Sequence, residues 1–192
     1  VNIMSFNMYQ GSLDGTAGNG SSCYTGYIDE LRITKGFARY TKPFTLPSAP
    51  FPHSSGDPHW DQVVWAFPLI GPNGSTTFYD KGPALTSLTN SNVIYAATDI
   101  RRFGNSQGTA ASFNGTSARL TFTPNGRPFN AQLDWTVEGW LYSTASGANR
   151  GIFCIDGVTS TYYGHYFAKT STNKLKVDLM KLSAPTTAIS MV

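Results

Sequence analysis

Charged residues are scarce in this chain. Only 13% of its 192 residues are Asp, Glu, Lys or Arg, against about 25% in an average soluble protein. That scarcity excludes a coiled coil, which needs dense periodic charge. A nucleic-acid footprint is excluded as well, because 14 Lys and Arg against 11 Asp and Glu leave a net charge of only +3, scattered among turns. No run approaches the roughly 20 apolar residues that span a bilayer, so no membrane insertion is expected. Cysteine is limited to Cys23 and Cys154, too few for a disulfide scaffold and too far apart for a zinc site. Cys154, in the apolar run 151–155, reads as a buried free thiol. A long-range bridge to Cys23 stays open. No segment of a dozen residues carries a helical apolar stripe. The chain begins at Val1 with no charged-then-apolar leader, and both ends read as cut from something longer.

What is present is aromatic and turn-rich: 14% Phe, Trp and Tyr, with 19 glycines. This is too apolar for a disordered segment. Asn73-Gly74, Asn114-Gly115 and Asn125-Gly126 supply the positive φ angles of tight turns. Between the turns lie short β-rich runs at 26–34, 62–69, 110–113, 118–122, 135–142, 151–155, 163–168 and 175–182. Many short strands with frequent turns point to an all-β sandwich or barrel. The run 135–142 keeps no single period-2 apolar face, so both of its faces are expected to be partly covered.

The stretch 38–61 differs. Pro43, Pro47, Pro50, Pro52 and Pro58 alternate there with Tyr40, Phe44 and Phe51. Proline cannot donate to a ladder, so this reads as an extended connector pinned to a neighbouring surface by its aromatics. Composition divides the chain into 1–47, a linker at 48–59, and 60–192.

The motif Gly26-Tyr27-Ile28-Asp29-Glu30-Leu31-Arg32-Ile33, with its exit Lys35-Gly36-Phe37-Ala38-Arg39-Tyr40 and Pro-rich tail, resembles the last strand of a laminin-G-like domain. Such domains belong to the concanavalin A-like lectin/glucanase superfamily. Asp57-Pro58-His59-Trp60-Asp61 and the block 71–80 resemble the start of such a domain. Phe103-Gly104-Asn105-Ser106 with Phe113-Asn114-Gly115 resembles its next block, and Trp135 to Trp140 its central strand. A family ending thus precedes a family beginning. The resemblance implies an antiparallel jelly-roll β-sandwich present as parts of two modules. Residues 1–47 would be the C-terminal part of the first, and 60–192 the N-terminal two-thirds of the second. In the alternative, 1–47 completes 60–192, in cis or from a partner chain.

Glycoside hydrolysis needs two carboxyl groups across one cleft. Glu30 and Glu138 are the only glutamates and lie in different halves, while Asp29 and Glu30 are adjacent and would point to opposite faces of a strand. Asp29 reads instead as a hydrogen-bonded anchor of its strand. His53, His59 and His165 belong to no recognisable nucleophilic motif. Family resemblance raises a structural calcium with Asp29 and Asp80 as contributors. Those two would belong to different modules, so no cofactor is expected. Tyr162, Tyr163 and Tyr166, near Asn149 and Arg150, could stack and hydrogen-bond a saccharide; aromatics filling a core are the plainer reading. The sequons at Asn19, Asn73 and Asn114 are explained by their turns.

On the resemblance we expect a non-catalytic virion structural or adhesion module, of phage tail-fibre or capsid-decoration type. Its location would be the virion surface, or otherwise extracellular. Expected partners are neighbouring copies in a homo-oligomer, other virion proteins and cell-surface glycans. A bacterial surface lectin module is the alternative and a glycoside hydrolase the weaker one. Fold-level analogy limits the force of all three.

Overall fold

The structure, a computed structural model, describes residues 6–7, 24–54, 56–97, 108–122, 134–147, 150–155, 164–180 and 188–189. Among the described residues twelve strands follow one another: β1 (Phe6–Asn7), β2 (Thr25–Lys35), β3 (Val63–Phe67), β4 (Leu88–Ser91), β5 (Ile94–Ala97), β6 (Thr109–Asn114), β7 (Arg119–Phe122), β8 (Trp135–Ser143), β9 (Arg150–Ile155), β10 (Gly164–Lys169), β11 (Leu175–Met180) and β12 (Ala188–Ile189). Among the described residues the only helical turn is 3-10, at Trp60–Gln62. The fold is all-β, and every pairing is antiparallel.

One sheet runs β12-β11-β10-β9-β1-β7-β4. The other is organised around β2. Thr25 to Ile28 pair with β6, and Leu31 to Thr34 pair with β3. Gly26 to Lys35 pair with β8. Residues 26–28 bond to both β6 and β8, so those two strands flank β2 on opposite edges, and β3 continues the β6 edge. The strand expected at 26–34 is therefore the shared ladder partner of three strands that follow the Pro-rich stretch.

Period-2 alternation on β2 is interrupted once. Tyr24 and Ile28 belong to the hydrophobic core before the interruption, and Leu31 and Ile33 after it. The step from 28 to 31 spans three residues because the β8 register shifts between Asp29 and Arg32, and Glu30 takes φ 57°. An extra residue in a bulge does this, and it turns Arg32 and Thr34 to the face opposite the core. Gly26 serves a second close approach. At φ +143°, a Cβ there would lie 2.1 Å from the Tyr142 carbonyl oxygen, so only glycine lets β8 come this near.

The core draws on both sheets. Trp65, Phe67, Tyr95, Ala111 and Phe113 from one meet Leu120, Ile152 and Phe167 from the other. Trp135 of β8 stands edge-on to Phe167 of β10, with centroids 5.8 Å apart, a favourable aromatic geometry. Val137 packs against the same cluster, and on the opposite face Glu138 is also buried. Both faces of β8 are thus covered over its first half, whereas Leu141 and Tyr142 are exposed.

Two Asn-Gly turns behave as their chemistry dictates. Gly115 has φ +77°, and the Asn114 side-chain oxygen accepts the N–H groups of Thr116, Ser117 and Ala118. Asn73 accepts the N–H of Ala97, and Gly74 takes φ +81°. Asn125-Gly126, Cys23 and Asn19 lie outside the described residues.

Candidate functional site

Three places concentrate polar chemistry. The first is the face of β2 that the bulge turns away from the core. The Arg32 guanidinium donates to Asp57 Oδ2 at 2.8 Å and to Glu138 Oε2 at 3.0 Å. Arg39 donates to both oxygens of Asp57, at 2.8 and 3.1 Å, and to Thr34 Oγ1 at 2.7 Å. The Tyr40 hydroxyl donates to Glu138. Phe51 from the Pro-rich stretch covers Arg32, whose Cζ lies 4.3 Å from the ring centroid. Two guanidinium and two carboxylate groups balance, and the paired forks leave no net charge. Burial alone would raise Asp57, but the Arg39 and His59 hydrogen bonds and both guanidinium charges overcome it and hold the carboxyl below its ordinary value. Burial and the Glu138 hydrogen bond push Tyr40 up to about 12.

The second place is the bulge itself. Glu30 accepts the Phe51 N–H at 2.8 Å, and His53 Nε2 stands 3.5 Å from its other oxygen. Glu30 ties β2 to the Pro-rich stretch, while Asp29 keeps a hydrogen bond to the Glu30 backbone. Asp29 is 5% exposed, and its Oδ1 has no hydrogen-bond partner. Burial first, then the neighbouring Glu30 charge, push the Asp29 carboxyl up to about 7. Opposite-face alternation does not apply to this pair, because the register shifts there.

Asp80 is fully occupied elsewhere. Its Oδ1 accepts the N–H groups of Ala66 and Gly82, and its Oδ2 that of Thr86, so it organises the loop after β3. Among the described residues, no three of His, Cys, Asp or Glu gather as metal ligands would.

The third place is a cleft where β8 parts from β10 and β11. A cavity of about 420 Å³ has Tyr24, Ser143, Thr144, Lys169, Asn173 and Leu175 among its walls. A more apolar one of about 400 Å³ adjoins it through Leu141, Ile152 and Leu175. Lys169 Nζ donates to Asn173 Oδ1 at 2.7 Å and to the Thr170 carbonyl at 3.4 Å.

Of the residues the sequence suggested for ligand contact, Tyr162, Tyr163 and Asn149 lie outside the described residues. Tyr166 sits on β10, paired with Cys154 and Asp178. Arg150 opens β9 and is the cross-strand partner of Lys169, but it does not line the cleft. Sequence reasoning missed Lys169 and the Arg32–Asp57–Arg39–Glu138 cluster. An arginine inside an otherwise apolar strand was the available signal for the cluster. A Lys-x-x-x-Asn turn was the signal for Lys169.

No described helix is long and apolar enough to cross a membrane. Comparison with family models, curated proteins and solved structures returns no match for this chain.

Proposed function

We propose that this chain is a non-catalytic structural and adhesion module of a virion surface, a jelly-roll sandwich of concanavalin A-like type. In this reading, β2 completes the sandwich of residues 60–192 in cis. Neighbouring copies or other virion proteins are its partners, and a saccharide is its ligand. One observation carries the non-catalytic reading. Three of the four carboxylates around the centre of β2, those of Asp57, Glu138 and Glu30, are engaged in holding the chain together, which leaves Asp29 without an available second acid beside it. Asp57 and Glu138 are bound by Arg32 and Arg39, and Glu30 by the Phe51 N–H. A glycosidase needs one acid free to give a proton and a second free to attack or to activate water; Asp57 and Glu138 are pinned by charge and Glu30 by a backbone N–H, so Asp29 has no free partner among them. The open cleft beside β8 favours adhesion over a spacer role, being concave and partly apolar with a few polar groups.

Two assays on the full chain test this. A glycan array is expected to show saccharide binding, and incubation with polysaccharides is expected to release no reducing sugar. Sugar release lost in Glu138→Gln would overturn the non-catalytic reading; silence on the array would remove the adhesion role.

A further inference from the structure

We propose that the cleft between β8 and the β10–β11 hairpin binds an acidic saccharide, its carboxylate or sulfate seated on Lys169. This rests on the adhesion reading and names the ligand class for it. The cavity of about 420 Å³ falls in the range of small-ligand sites, about 300–1,000 Å³.

The charge of Lys169 gives the ligand its sign. Lys169 is 8% exposed, yet among the described residues its ammonium is met by neutral oxygens of Asn173 and Thr170. Among the described residues, no carboxylate forms an ion pair with it. An ammonium removed from water without a counter-charge is costly. Its cross-strand partner is Arg150, a second cation, and like charges directly opposite on a sheet repel. Lys174 adds a second cation to the wall. An anion entering here gains the attraction of Lys169 and Lys174 and offsets the cross-strand repulsion at Lys169.

The remaining wall favours a sugar as the carrier of that charge. Leu141 and Leu175 are 44% and 41% exposed, an apolar patch for the C–H face of a pyranose ring. Thr144, Asn173 and Ser146 bring hydroxyl and amide groups to the same rim. Asn173 has φ 63°, a turn conformation that directs its side chain back to Lys169 and orients the ammonium.

The test is calorimetric titration of the full chain with an oligogalacturonate and with a neutral galactan oligosaccharide. Lys169→Met keeps the aliphatic length while removing the charge; Lys81→Met, outside the cleft, is the control. Oligogalacturonate is expected to bind the unmodified chain and the control alike. In Lys169→Met, binding should weaken about tenfold or more, the effect of losing one charge-assisted contact, with no loss of melting temperature in the free protein. Equal binding of the neutral oligosaccharide, unchanged in Lys169→Met, would overturn the anion site and leave the adhesion reading standing. Absence of binding by either sugar would overturn both.

Discussion

Arg32 and Glu138 are 106 positions apart in the chain, yet their side chains meet at 3.0 Å with both buried. The contact ties β2 to β8, and through Asp57 the same guanidinium ties both to the Pro-rich stretch. One side chain thus joins three segments that the sequence separates.

Removing that side chain leaves two buried carboxylates with Arg39 alone. Arg32→Met is expected to cost about 3 kcal/mol, the scale of breaking a buried ion pair from one side. Urea denaturation measures the loss. Arg32→Lys keeps the charge without the planar fork and should fall between the two.

The β2–β8 approach makes a separate prediction. Gly26→Ala places a methyl 2.1 Å from the Tyr142 carbonyl oxygen at a φ of +143°, where neither space nor backbone accommodates it. A fall in melting temperature several times that of Gly147→Ala is expected. Gly147 also has positive φ, but nothing lies within 4 Å of its Cβ position. Equal effects would mean that β8 does not lie against β2 at this point.

Asp29 predicts a pH dependence of unusual sign for an acid. Its folded carboxyl holds the proton up to about pH 7, whereas an unfolded one releases it near pH 4. The folded state binds more protons between those values, so stability falls as pH rises through that window. Asp29→Asn removes the effect. It should be more stable than the unmodified chain at pH 8, by up to roughly 4 kcal/mol, and indistinguishable from it at pH 4. Thermal melts across this range read the difference.

Asp57 behaves oppositely. Its folded carboxyl sits below the ordinary value, so its contribution is complete above about pH 4, the unfolded value, and is lost as pH falls below it. Proteolysis of the 36–60 stretch by an acid-tolerant protease should therefore accelerate steeply below pH 4. Asp57→Asn should show the faster cleavage already at neutral pH.

Strand positions were legible because β-branched and aromatic runs between Asn-Gly turns carry their own signal. The run expected at 26–34 is the strand Thr25–Lys35, and that at 135–142 is Trp135–Ser143. Leu88–Ser91 and Ile94–Ala97 escaped notice. They are four residues each, contain Asn and Ala, and gain their pairing from β7 and β6 rather than from intrinsic preference. Phe51 was readable as an anchor of the Pro-rich stretch; Phe44, in the same pattern, is exposed. The ladder partners of β2 were not legible: the resemblance assigned residues 1–47 and 60–192 to two different modules, with completion of one by the other only as the alternative, whereas β2 pairs with β3, β6 and β8 of the same chain. The charge cluster was hidden for a related reason. Arg32 finds its acids 25 and 106 positions away, and only the bulge at Glu30 turns it toward them. For Lys169 the Lys-x-x-x-Asn turn was legible, but the burial of its side chain was not.

The pairing of β2 with three strands of the same chain is open to direct measurement by hydrogen–deuterium exchange with peptide-level mass spectrometry. Amides of residues 27–34 should exchange only through global unfolding, at the same rate in concentrated and in dilute protein. Free exchange of this segment, or protection that fades on dilution because the partner strands come from another chain, would contradict it.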